Sequence, residues 1–134
     1  RSEAAFLATL GFIAPQPPAP ESPEATVRGL AVALDARDRA QVKRRLGPGA
    51  TALSPAGSAP STGPLLEALE RDILALPEGH LELHAVSVNG AFVTARERVL
   101  WAGAQGTPRR RNRLLVFEVQ EGQVVRMWAY PAQD

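Results

Sequence analysis

His80, Glu82 and His84 stand two residues apart in His80-Leu81-Glu82-Leu83-His84. An extended chain carries all three on one face and offers two imidazoles and a carboxylate, donors that a divalent cation accepts. A flat row of this kind does not converge on one ion without help from another element. The plainer arrangement is a solvent-facing strand with Leu81, Leu83 and Ala85 turned inward. A second concentration of chemistry is Arg109-Arg110-Arg111-Asn112-Arg113. In an extended segment Arg111 and Arg113 share a face with Leu115 and Phe117, and Arg96 and Arg98 on the preceding apolar segment supply two more guanidiniums. Their forked donors suit carboxylates and phosphates. The alternative is a strand that runs past the core, leaving the arginines solvated and paired with Glu82, Glu97 or Glu118. Ser54 is a candidate nucleophile in type, but no Gly-x-Ser-x-Gly elbow surrounds it and no base is identifiable. Trp101, Phe117 and Met127, with Phe92, Trp128 and Tyr130, are bulky enough to shape an apolar pocket, a core or a dimer face.

Composition narrows the functions available. The 134 residues, 45% hydrophobic and 22% charged, suit one compact domain. Fifteen Lys and Arg against fourteen Asp and Glu leave a formal charge of +1, so no bulk field attracts nucleic acid or an anionic membrane. The arginine run also lacks the interleaved aromatics of single-strand platforms, so neither partner is expected. Cysteine is absent, which removes disulfides, thiolate nucleophiles and sulfur-ligated metals, and two histidines exclude an all-histidine site. No metal and no cofactor is expected. Apolar runs fall short of the roughly 18 to 20 residues of a spanning helix, and no leader pattern opens the sequence; a soluble, cytoplasmic protein is the expectation. Every basic residue but Lys43 is Arg, and Ala, Pro and Gly are plentiful, as in products of GC-rich bacterial genomes.

Periodicity predicts the secondary structure that carries these groups. Residues 2–13 place Phe6, Leu7, Leu10 and Ile13 at helical spacing behind Ser2, which predicts a helical appendage over 1–14. Five prolines in residues 15–23 predict an extended linker, and the main domain then runs over 24–134. Ser22-Pro23-Glu24 reads as cap, first-turn proline and first-turn acid of a helix whose stripe is Val27, Leu30, Ala31 and Leu34. It breaks near 35–38, where Asp35 and Asp38 stop it and cap a short second helix reaching Leu46. Gly47-Pro48-Gly49 ends that helix, and a short strand fits Ala50–Leu53. Leu65, Leu66, Leu69, Ile73, Leu74 and Leu76 return at helical spacing up to Pro77, with Glu67, Glu70 and Asp72 on the solvated side. From His80 the period becomes two. Asn89-Gly90 is a tight-turn dipeptide, and the segments from His80, Ala91–Trp101, Arg109–Val119 and Val124–Tyr130 form a four-strand antiparallel meander. Helices first and strands afterwards predict an α+β domain with a curved sheet over a helical layer.

Four phrases carry more than periodicity. They are Ala33-Leu34-Asp35-Ala36-Arg37-Asp38, the loop Ala50-Thr51-Ala52-Leu53-Ser54-Pro55-Ala56-Gly57-Ser58, Asn89-Gly90, and Val116-Phe117-Glu118-Val119-Gln120-Glu121-Gly122-Gln123-Val124-Val125 running into Trp128 and Tyr130. In order and spacing over residues 24–131 the chain resembles the nuclear transport factor 2-like superfamily, which includes SnoaL-like cyclases, ketosteroid isomerase and limonene-epoxide hydrolase. The resemblance implies a cystatin-like cone, a conical pocket between helices and sheet, and a homodimer. Functions in the superfamily are diverse. The isomerase pattern needs a tyrosine on the first helix, an acid on the third meander strand and an Asp in the pocket-side loop; Leu30, Leu115 and Ser54 stand there. The epoxide hydrolase pattern needs Asp-Arg-Asp; Arg96 or Arg98 supplies the guanidinium, but the carboxylate positions read Arg98 or Leu100, and Ala129. The expected function is a pocket for a small, partly apolar molecule, in a binder or an enzyme of unidentified reaction. Arg111, Arg113 and Arg96 or Arg98 would meet its oxygens, and Trp101, Phe117, Met127, Leu30, Leu115 and Ser54 would surround the rest. The alternative is a protein-interaction or dimerisation module.

Overall fold

A computed structural model describes residues 21–54 and 62–132. The predicted helix over 2–13 and most of the proline-rich linker lie outside the described residues. Helix α1 spans Pro23–Asp35, with the Ser22 hydroxyl accepting from the Ala25 amide at 3.1 Å and Pro23 in the first turn. Helix α2, Arg39–Arg44, is capped by Asp38, whose carboxylate accepts from the Gln41 amide at 3.2 Å. Asp35 has a role that its place at a helix end does not suggest. Its Oδ1 accepts from the Leu81 amide at 2.8 Å, tying the end of α1 to the start of the meander.

Strand β1 covers Leu46–Leu53, longer than expected because Gly47-Pro48-Gly49 lies inside it. Pro48 has no amide to donate and Gly49 has φ +68°, so pairing with the last strand is interrupted between Leu46 and Thr51. Strand β2, Thr62–Pro64, leads into helix α3, Leu65–Leu69, which continues as a π-helical turn over Glu70–Leu74. Strands β3 (His80–Asn89), β4 (Phe92–Ala102), β5 (Pro108–Gln120) and β6 (Gln123–Pro131) make the predicted meander. The sheet order is β2-β1-β6-β5-β4-β3, antiparallel throughout except where β1 runs parallel to β6. In the β3–β4 hairpin Asn89 pairs with Phe92, so the loop is Gly90-Ala91 with positive φ only at its glycine, the pattern of glycine-first hairpin turns.

Helix α1 lies across β3, β4, β5 and β6. Its Val27, Leu30 and Leu34 close against Val93, Val99, Leu115, Phe117 and Met127, all buried. Each such side chain contributes about 1.5–3 kcal/mol relative to exposure, which sets the parity of every strand. A one-residue slip of β4 would turn Val93 and Val99 to water. Parity changes in β3, and again in β6, where Val124 and Met127 are both buried across a register shift. Ala85 adopts φ +52° in a bulge between His84 and Ser87, so Ala85 is exposed and Val86, not Ala85, packs on the core. No helix among the described residues is long and apolar enough to cross a membrane.

Candidate functional site

Inward residues of β4 are Val93, Ala95, Glu97 and Val99. Glu97 is thus a carboxylate in an otherwise apolar row, and its side chain is 0% exposed. Across the ladder Glu97 pairs with Arg113, and Arg111 is two residues further along the same face of β5. Arg113 donates Nε to Glu97 Oε1 at 2.7 Å and Nη2 to Oε2 at 3.0 Å, a bidentate grip. Arg111 Nη2 adds a donor to Oε1 at 3.3 Å.

The π-helical turn completes the cluster from the opposite wall. A π turn inserts an extra residue, rotating the next side chains relative to a regular helix. Arg111 Nη1 donates to the Asp72 carbonyl at 3.1 Å, and Arg113 Nη1 lies 3.7 Å from the Asp72 carboxylate. Arg71 holds that carboxylate from its other side, Nε to Oδ1 at 2.9 Å and Nη2 to Oδ2 at 3.2 Å. The hydrogen bond to Asp72 raises Arg71 above the ordinary guanidinium pKa, with the Asp72 charge and a smaller pull from Glu67 adding to it. Arg111 is shifted the other way, lowered first by burial and then by the neighbouring Arg113 charge. Within the hydrogen-bonded cluster itself, three guanidiniums face two carboxylates.

Beside this cluster opens a cleft of about 240 Å³ bounded by β1, β2, α3 and β6. Its polar wall is Arg113, Arg71, Asp72, Glu67 and Ser54; its apolar wall includes Met127, Ala129, Ala52 and Ala68. Deeper, between α1 and the sheet, the side chains leave only about 10 Å³.

Of the residues singled out from sequence, Arg113, Met127 and Ser54 meet at this cleft. Arg111 stands behind Arg113. Leu115 and Phe117 line the small interior void, Leu30 is packed in the core, and Trp101 packs against that core without reaching the cleft. Arg96 and Arg98 do not join the cluster: they alternate with buried Glu97 and are exposed on the outer face, as is Leu100. Burial of Val93 and Val99 dictates that parity. Arg98 and Leu100, read from sequence at the inward carboxylate position, both point outward, and the inward acid is their neighbour Glu97. Sequence reasoning reaches Glu97 only as a possible arginine partner, although a lone acid in the alternation Val93, Ala95, Val99 is a usable signal. Asp72, expected on a solvated helix face, is turned to the cluster because the helix there is not a regular α-helix. Among the described residues no three His, Asp or Glu groups gather to hold a metal ion. In the His80 row, His84 Nε2 is 3.1 Å from Glu82 and His80 faces Asp35 at 3.7 Å.

No protein-family model and no curated protein sequence matches the chain. Solved structures do. A nuclear transport factor 2-like protein of unknown function from Cytophaga hutchinsonii superposes with a TM-score of 0.64 at 15% identity, over 83% of this chain and 90% of that one. The chain has the nuclear transport factor 2-like fold. IdmH of Streptomyces antibioticus, described as a candidate polyketide cyclase, gives 0.68 at 19% identity over 81% of this chain and 91% of its own. An LEH-like epoxide hydrolase of M. tuberculosis gives 0.65 at 19% identity over 81% of this chain and 80% of its own. At these identities the likeness speaks for the nuclear transport factor 2-like cone alone; the chemistry must come from the site.

Proposed function

We propose that the cleft beside β1, α3 and β6 binds a small, partly apolar molecule through a carboxylate or comparable oxyanion. The observation that carries this reading is the pair of guanidiniums, Arg113 and Arg71, facing a wall of Met127 and Ala129. Arg113 is held rigid by Glu97, so its remaining donor is pre-aimed and little rotamer entropy is lost on binding. Arg71, at the exposed mouth, supplies the fork. The Asp72 carboxylate between them already accepts from Arg71, and an incoming oxyanion competes for that fork. Similar folds described as a cyclase candidate and an epoxide hydrolase are consistent with small-molecule work in this fold. Native mass spectrometry of the purified chain tests the reading: a reproducible small-molecule adduct, reduced in Arg71→Gln, is expected. Adduct-free protein in which carboxylate ligands bind wild type and Arg71→Gln equally would count against it.

A second reading rests on the filled interior, about 10 Å³, together with exposed Phe92, Leu100, Leu114 and Tyr130. In it the chain is an interaction module that pairs with a second copy through the outer sheet face. Sedimentation across a hundredfold concentration range, repeated on Leu114→Glu, tests it. A dimer broken by that substitution supports pairing, and a monomer at every concentration refutes it.

A further inference from the structure

We propose that the outer face of the sheet carries a second, separate site: a groove that takes the phosphate or carboxylate oxyanion of a small molecule between Arg96 and Arg98. Both side chains leave β4 on the face opposite Glu97 and flank an opening of about 240 Å³ bordered by His84, Asn112, Arg113 and Ala132. Alternation along β4 turns the Glu97 side chain inward, so that residue offers the groove its main chain.

The Arg96 and Arg98 guanidiniums are unpaired among the described residues, whereas each of those in the inner cluster is bonded to Glu97 or Asp72. Among the described residues, no side-chain hydrogen bond or ion pair engages Arg96 or Arg98. The carboxylate nearest in register is Glu82, directly across from Arg98, and Glu82 is turned to His84 instead, 3.1 Å from its Nε2. His84 in turn stands across from Arg96. Two like charges therefore sit on one face of one strand, about 7 Å apart at their origins, with no counter-charge paired to them among the described residues. An oxyanion between them satisfies both forks at once and removes the repulsion. Arg113 borders both openings, but Arg96 and Arg98 line only this groove and Arg71 only the inner cleft, so the inference can fail or stand apart from the reading proposed for that cleft.

The test is a titration of the full chain with inorganic phosphate and, separately, with citrate, at constant ionic strength, following the arginine Nε–Hε resonances by NMR. Saturable shifts at Arg96 and Arg98 are expected, fitting one site at this groove whatever binds at the inner cleft. Arg96→Gln and Arg98→Gln should each weaken binding by about tenfold, the loss of one charge-assisted hydrogen-bonding fork. Arg71→Gln, in the other cleft, should leave it unchanged. Tighter phosphate binding assigns a phosphate ligand and tighter citrate binding a carboxylate. Non-saturating shifts, or shifts equal to those of exposed Arg28 and Arg44, overturn the proposal. So does full binding in both groove variants, whose exposed positions leave folding intact.

Discussion

Replacing Glu97 by Gln keeps the shape of the side chain and deletes its charge. Glu97 is 0% exposed and accepts three guanidinium hydrogen bonds, at 2.7, 3.0 and 3.3 Å. Arg113, 13% exposed, and Arg111, 26% exposed, then keep two positive charges close together with Asp72 as the carboxylate left to oppose them. Breaking a buried pair from one side costs about 3–5 kcal/mol, chiefly because the orphaned charge stays desolvated. The amide oxygen still accepts one bond, so about 3 kcal/mol is the expected loss. For a domain of this size that lowers the melting temperature by about 12 °C. Urea denaturation gives the free energy directly, and an unchanged m-value would show that the native fold is retained. The double variant Glu97→Leu with Arg113→Met should cost clearly less than the sum of its single substitutions, because removing Arg113 with Glu97 leaves only Arg111 without that carboxylate. A loss under about 1 kcal/mol for Glu97→Gln, the range of exposed pairs, would refute the desolvated cluster.

Other outcomes rest on single contacts. Ser22→Ala removes the acceptor for the Ala25 amide and should cost about 1 kcal/mol in chemical denaturation, whereas an unchanged midpoint would mean the α1 cap is frayed in solution. Arg39 grips Glu70 through two hydrogen bonds at 3.0 and 2.9 Å, and that bonding lowers the Glu70 pKa below the ordinary glutamate value. A depressed folded-state pKa gives stability that is present above the unfolded value and fades as pH falls through the folded one. NMR titration of Glu70 should therefore show a low pKa that returns to normal in Arg39→Gln; identical values in the two proteins would refute the pairing. Zinc titration by calorimetry should give no stoichiometric heat at His80, Glu82 and His84, since a flat strand face does not converge on one ion. A one-to-one isotherm abolished by His84→Ala would reverse that conclusion.

Much of the fold is legible locally. Ser22-Pro23-Glu24, the Val27–Leu34 stripe and the period-two segments after His80 carry their own instructions, because caps, helical spacing and alternation act over a few residues. The misses have different physics. Asp35 reaches Leu81, Ala85 bulges out of β3, and the chain switches from α to π geometry at Glu70; each is decided by the groups packed opposite. The site divides in the same manner. That Arg111 and Arg113 share a face with Leu115 and Phe117 comes from alternation within one strand. Which face of β4 turns inward is not set by the charged residues alone, since Arg96, Glu97 and Arg98 fit either parity locally. Burial of Val93, Ala95 and Val99 against α1 settles it, placing Glu97 with Arg113 inside and Arg96 with Arg98 outside. Residue types, elements and the abundance of arginine are properties of the chain before it folds. Which arginines are neutralised inside and which face the outer groove is decided by the tertiary structure, because charges far apart in the chain compensate one another only once packing has set their distances.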